Sequence, residues 1–192
     1  MRIILIATSS ILALISPIIY ARSILREEAK PHRTTRFVLL LITALSTASL
    51  IAQHNTVAVW LAGISTFQAI LIFSLSIKRG MGGWSRADIF CLVIALFGIV
   101  AWQTTNNPAL GLYFSILADF TGMVPALIKT YRLPHTENVW FFGLDTIAGL
   151  LTLLAVASFT LEQTAYPIYI IIINAVMVFL IERPRLSHLS AD

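Results

Sequence analysis

ILADFTGMVPALIKTYRLPHTENVWFFGLDTIAGLLTLLA, residues 116–155, is an apolar run interrupted by Pro125, made polar at Lys129 and Arg132, turned through Pro134 and His135, and apolar again from Phe141. Residues 11–52, ILALISPIIYARSILREEAKPHRTTRFVLLLITALSTASLIA, repeat that order: Pro17 interrupts the run, Arg22 and Arg26 follow, Pro31 and His32 make the turn, and Phe37 starts the next run. The first copy carries roughly four extra residues around Glu27 and Glu28, and insertions of that kind belong in loops. A third correspondence lies further along each copy. QAILIF from Gln68 and NAVMVF from Asn174 share an amide, an alanine, three aliphatics and a phenylalanine, each ahead of a charged exit at Lys78 and Arg79 or at Glu182 and Arg183.

Of the 192 residues, 58% are hydrophobic and only 11% charged, which points to a polytopic membrane protein and away from a water-soluble core. The single cysteine, Cys91, offers neither a disulfide framework nor metal-ligand spacing and reads as a packing or lipid-facing residue. Seven stretches approach the length of about 20 residues that crosses a bilayer: 3–21, 37–53, 56–77, 88–103, 109–129, 139–160 and 166–181. None alternates apolar with polar residues as a barrel strand would, and in hydrocarbon each backbone group needs an internal partner, so helices are expected. The first stretch also has the length of a signal peptide, with Arg2 as its n-region, but no small-residue cleavage pattern follows it and the repeat requires it.

Lysines and arginines set the expected orientation. They gather in alternate connections: Arg22 to Arg36, Lys78 to Arg86, Lys129 with Arg132, and Arg183 with Arg185. The connections at 53–55, 104–107 and 161–165 carry none. The expectation is an integral multi-pass cell-membrane protein with its N-terminus outside and its C-terminus cytoplasmic. Trp84 and Trp140 on the inner side, and Trp60 and Trp102 towards the outer side, suit interfacial aromatic belts. A repeat that relates the first three segments to the last three leaves the fourth as a spacer, and an odd spacer keeps both copies in one orientation. The expected fold is therefore an all-α membrane protein of seven transmembrane helices, 3+1+3: a bundle over 1–77, a linker helix with its flanking loops over 78–106, a second bundle over 107–183 and a tail over 184–192. Gly80, Gly82 and Gly83 in GMGGWSR supply the flexible join.

MVPALIKTYRLPHTEN and LISPIIYARSILREEAKPHR, each a helix-end proline followed by a basic turn with a tyrosine, resemble the PQ-loop superfamily, which includes the SWEET sugar transporters, their half-sized bacterial relatives and the lysosomal cystine exporter. GLDTIAG, residues 143–149, is similar to the Leu-Asp and small-residue pattern at the start of the sixth helix in the cystine exporter type. The resemblance implies a carrier with paired three-helix bundles. The chain departs from it in two ways: Ile18 and Ala126 follow the prolines where the family's name requires glutamine, and the second and sixth segments lack the prolines that sugar carriers use for rocking.

An ionised carboxylate at the bilayer centre costs about 2.5 to 3.5 kcal/mol on insertion scales, so two intramembrane aspartates call for a reason. Asp119 falls near the middle of the fifth segment, and Asp145 about 9 Å from the cytoplasmic edge at a rise of about 1.5 Å per residue. Either is a proton- or cation-coupling group or a hydrogen-bonded structural acid; the resemblance favours Asp145 as the coupling site and leaves Asp119 to solute contact. Gln68 and Asn174, at equivalent places near mid-membrane, bind a polar solute or glue helices at about 0.6 to 2 kcal/mol per contact. Pro17 and Pro125 each free a backbone carbonyl, as hinges or as static kinks. His32 and His135 belong to turn chemistry.

No helix-seven lysine is placed to hold retinal, and neither a phosphate cradle nor a nucleophile-base set occurs, so no enzymatic activity, cofactor, metal or nucleic-acid partner is expected. The expected function is movement of a small polar solute by alternating access, with protons as the candidate coupling ion. The rival from another class is a non-transporting receptor or assembly module on the same scaffold. The lipid bilayer is a partner in both, and both leave oligomeric state open.

Overall fold

The computed structural model describes residues 2–28, 31, 33–80, 83, 84 and 86–189. They form seven α-helices and no strand: α1 (Arg2–Leu25), α2 (Arg33–Ala52), α3 (Ala58–Arg79), α4 (Arg86–Thr105), α5 (Pro108–Arg132), α6 (Val139–Ala155) and α7 (Leu161–Leu189), with a 3-10 turn at Pro134–Thr136 before α6. Six are long and apolar enough to cross a membrane, and α6, with 17 residues, is the short one. This is the architecture of a helical multi-pass membrane protein. His32 and Gly82 lie outside the described residues, as do the side chains of Pro125 and Lys129.

Local chemistry sets the helix ends. α1, α2 and α4 are followed by Glu27, His54 and Asn106 in the left-handed region, at φ 63°, 52° and 52°. After α1 the amide of Glu27 donates to Ile24 and that of Glu28 to Ser23; after α2 the amide of His54 donates to Ile51 and that of Asn55 to Leu50. Both are the double bond that satisfies the last carbonyls of a helix. Asparagines start the next helices. Asn138 Oδ1 accepts from the amides of Trp140 and Phe141 before α6, Asn107 Oδ1 from Ala109 at α5, and Asn55 Oδ1 from Val57 and Ala58 at α3. The helices overrun the apolar stretches at the basic end, since Arg33 and Arg36 lie inside α2 and Arg132 inside α5. Long basic side chains let a helix continue into the interface while their charges reach water. Elsewhere α6 stops at Ala155 rather than near Thr160, and α7 begins at Leu161 rather than Tyr166. The connection expected at 161–165 is thus the first turn of α7, held by bonds from the amides of Gln163 and Thr164 to Thr160.

Six helices close a ring in the order α1, α3, α2, α5, α7, α6, each packed on the next, with α3 also touching α6 and α7 across the middle. α4 lies outside against α5 and the edge of α2. Its fit depends on small residues: a Cβ on Gly98 would stand 2.6 Å from Phe114 Cβ, and one on Gly111 would stand 2.6 Å from Ser49 Oγ and 3.0 Å from Trp102. Cys91 packs here with Val38, Ile42 and Ala118, and Trp102 turns inward to the same cluster, while Trp60, Trp84 and Trp140 remain exposed. Asp88 is buried at the start of α4 and accepts from the hydroxyls of Thr34 and Thr35 on α2, fastening the outer helix to the ring.

Polar contacts tie ring helices together. Ser9 on α1 meets Thr152 on α6 at 2.6 Å and donates to the Ala148 carbonyl at 2.8 Å, and Ser46 on α2 meets Ser115 on α5 at 2.7 Å. At the basic end, Arg79 of α3 donates to the Leu25 carbonyl of α1, and Arg183 of α7 donates to the Tyr131 carbonyl of α5 at 2.9 Å with its guanidinium 3.9 Å over the Tyr131 ring.

Candidate functional site

The ring encloses a cavity of ≈ 150 Å³ lined by α2, α3, α5, α6 and α7. Its walls are mainly apolar, from Ile72, Ile116, Phe141, Phe142 and Met177 among others, and a small set of polar groups converges on them. Such a mixture is characteristic of small-molecule sites. About one turn beyond Ser46, Ser65 and Asp145, at the end without basic loops, the packed side chains of Leu50, Leu61, Leu112, Ala148 and Tyr166 fill the interior. At the other end the lining reaches Arg36 and Glu137. Tyr20, Ile24, Phe141 and Phe142 pack beside it there, with Phe141 against Tyr20 at a ring-centroid distance of 4.9 Å and edge-on to Phe142 at 4.8 Å.

All four polar residues that the sequence singled out inside the membrane line this one cavity: Gln68, Asp119, Asp145 and Asn174. Asp145 is the most heavily engaged. Ser16 of α1 donates to its Oδ1 at 2.6 Å, and Gln68 of α3 donates to its Oδ2 at 3.4 Å, so one carboxyl joins three helices. Asp119 accepts from the hydroxyl of Tyr169 on α7. Asn174 is buried and donates to the Ile170 carbonyl of its own helix at 2.8 Å. Gln68 and Asn174 therefore do not bond one another. Gln68 acts first as a donor to the acid, which joins α3 to α6 as the helix-glue reading has it, whereas the bond of Asn174 stays within α7.

The prolines lie in continuous helices, and Pro17 is not part of the cavity lining. In α1, Pro17 cannot donate to the Ala13 carbonyl one turn back. Ser16 Oγ comes within 3.4 Å of that carbonyl, but its single hydrogen is committed to the shorter contact with Asp145. The backbone hydrogen bond missing at Pro17 thus stands directly beside the serine that holds Asp145. His135 is exposed in the 3-10 turn, away from the lining.

Four contributors escaped sequence reading. Ser16 and Tyr169 hold the two acids, Tyr166 lines the closed end, and Arg36 stands at the open end with its Nη2 donating to the Tyr20 hydroxyl at 3.0 Å and its guanidinium 5.2 Å from the ring centroid of Tyr20. The one available signal was the position of Ser16 immediately before the first repeat's proline. Hydroxyl groups are frequent in these helices and mostly bond the carbonyl one turn back, as Ser65 does to Leu61 and Thr130 to Ala126, so type alone does not select the two that matter. Compared with protein-family models, curated proteins and solved structures, the chain matches none of them.

Proposed function

We propose that the protein is a membrane carrier that moves a small polar solute through this cavity by alternating access between two parallel three-helix bundles, 1–77 and 107–183, with α4 as the spacer. The observation that carries the reading is the polar cavity itself: two aspartates and two amides drawn from four helices, in a space closed at one end and lined by charged residues at the other. Intramembrane ionisable groups are costly, and their presence around a cavity is the usual mark of a solute or ion path.

Several contacts support the duplication. Exchanging α1 with α5, α2 with α6 and α3 with α7 converts the packed pairs α1·α6, α2·α3 and α1·α3 into α5·α2, α6·α7 and α5·α7, all of which occur. One shift in numbering, 106 positions, takes Gln68 to Asn174 and takes the Ser9 and Thr152 pair to Ser115 and Ser46. The same shift takes Leu25 to Tyr131, the two carbonyls that receive the helix-end arginines. Chance apolar similarity gives no reason for hydroxyl pairs to fall in register. Under this reading the packed end faces outside, the basic end faces the cytoplasm, and the structure represents an inward-facing state. Asp145 is the proposed protonation switch: Ser16, next to Pro17 and its missing backbone hydrogen bond, and Gln68 on α3 both hold it, so a change in its charge acts on α1, α3 and α6 together. The likeness to PQ-loop carriers agrees with this layout.

A structure determined after soaking with a metabolite mixture tests the proposal. A carrier gives bound density between α3 and α5 to α7, next to Asp145. Density confined to the basic surface, with the cavity empty, favours the receptor or assembly module.

A further inference from the structure

Hydrogens are scarce around the cavity relative to acceptors. Ser65 donates to the Leu61 carbonyl at 3.0 Å, Thr43 to Leu40 at 3.1 Å and Ser46 to Ile42 at 3.2 Å, while Tyr169 donates to Asp119, Gln68 to Asp145 and Asn174 to Ile170. Each amide keeps one N–H. Against these two hydrogens, the hydroxyl of Tyr166 and the further N–H groups of Arg36 at the open end stand the amide oxygens of Gln68 and Asn174 and the remaining lone pairs of both carboxyl groups. Among the described residues no donor meets Asp119 Oδ1, and Asp145 Oδ2 has only the long contact from Gln68.

The charge balance points the same way. Among the described residues, the titratable side chains facing the cavity are Arg36 from α2, Asp119 from α5, Glu137 from the connection before α6, Asp145 from α6, and Tyr166 and Tyr169 from α7; α3 contributes none of them, and none comes from α1. The guanidinium among them lies at the open end, bonded to and stacked on Tyr20. The two deep acids, Asp119 and Asp145, have only neutral donors. Arg36 gives Asp119 a favourable charge interaction but no hydrogen bond, and no cationic side chain among the described residues bonds either acid; a buried carboxylate without a bonded counter-charge is costly and calls for either a proton or a cationic guest.

We propose that the solute is a small organic cation, an ammonium or guanidinium compound, whose N–H groups bond Asp119 and Asp145. This rests on the carrier reading and narrows it. The cavity limits the guest: an apolar cavity of about 150 Å³ holds benzene, so a compound of similar heavy-atom count fits, such as 1,4-diaminobutane. Cation and protons then satisfy the same carboxyl groups in turn, and the carrier exchanges one for the other.

The test compares 1,4-diaminobutane with 1,4-butanediol and succinate, matched in chain and different in charge, titrated against the purified protein in a non-ionic detergent. The diamine is expected to bind at least about tenfold more tightly than either, a difference of about 1.4 kcal/mol. The preference should disappear in Asp119→Asn/Asp145→Asn and persist in Asp88→Asn, whose acid is buried outside the cavity. Equal or better binding of the diol, no binding of any of the three, a preference that survives the double substitution, or one lost in Asp88→Asn would each overturn the proposal. The wild-type series decides the matter even if the double variant does not fold. Uptake into proteoliposomes separates the two claims: a diamine that binds but never accumulates leaves the cation site standing and removes the carrier, whereas uptake of the diol in its place does the reverse.

Discussion

Asp145→Asn separates a functional acid from a structural one. In the parent, Ser16 holds the carboxyl at 2.6 Å and Gln68 at 3.4 Å, so one bond is at full strength and the other near its limit. A hydrogen bond to a charged acceptor contributes about 1.5 to 3 kcal/mol and one to a neutral acceptor about 0.5 to 1.5, so the amide forfeits about 1 to 1.5 kcal/mol. It also removes an intramembrane charge whose insertion costs about 2.5 to 3.5 kcal/mol. The balance is a variant more stable than the parent by about 1 to 2.5 kcal/mol wherever the parent carries the charge, and equal to it at acid pH, where the parent is protonated. Unfolding in mixed micelles at pH 9 and pH 4 measures both. Transport should change in the opposite sense: uptake persists, its dependence on an imposed pH gradient disappears, and Asp119→Asn has a smaller effect on that dependence. An acid kept at a cost in stability is retained for its chemistry. Destabilisation by more than about 2 kcal/mol at both pH values would refute this and make Asp145 a structural keystone, and gradient-driven accumulation equal to the parent's would remove it as the coupling site.

Double-mutant cycles on Ser9→Ala with Thr152→Val and on Ser46→Ala with Ser115→Ala should each give a coupling of about 0.6 to 1.7 kcal/mol, the range of interhelical bonds in membranes; coupling in only one pair would contradict their equivalence. Gly98→Ala should destabilise the protein by about 1 to 3 kcal/mol, because its Cβ would stand 2.6 Å from that of Phe114, and an unchanged unfolding midpoint would show that α4 packs otherwise. Cysteines placed at His54 and His135, in a Cys91→Ala background, should label from opposite faces of intact cells, the first from outside; labelling of both from outside would reverse the orientation argument.

Seven helices were legible because apolar runs of membrane length leave the backbone no alternative. Their ends were not, since hydropathy changes at Phe37 whereas the helix starts at Arg33, where a basic side chain extends to water. The cavity was legible in its costliest members: an acid or amide deep in an apolar run marks itself. Their partners were hidden for two reasons. Ser16 reaches Asp145 across 129 positions of sequence, and nothing local distinguishes it from serines that bond their own helix. The hydroxyl pairs were concealed by the landmark used for the repeat, because Pro17 and Pro125 stand two positions out of the register shared by Gln68 with Asn174 and by Ser9 with Ser115. A proline can slide along its helix, whereas two hydroxyls that must meet across an interface cannot.

Accessibility of the cavity from each side of the membrane tests alternating access without a known solute. Ala69 lines the cavity beside Gln68, and Ala69→Cys in a Cys91→Ala background places one thiol there. Oriented vesicles of both polarities are treated with a membrane-impermeant thiol reagent. A carrier predicts that Ala69→Cys is modified from both faces, faster from the face carrying the basic loops; modification from that face alone, however long the exposure, would contradict it.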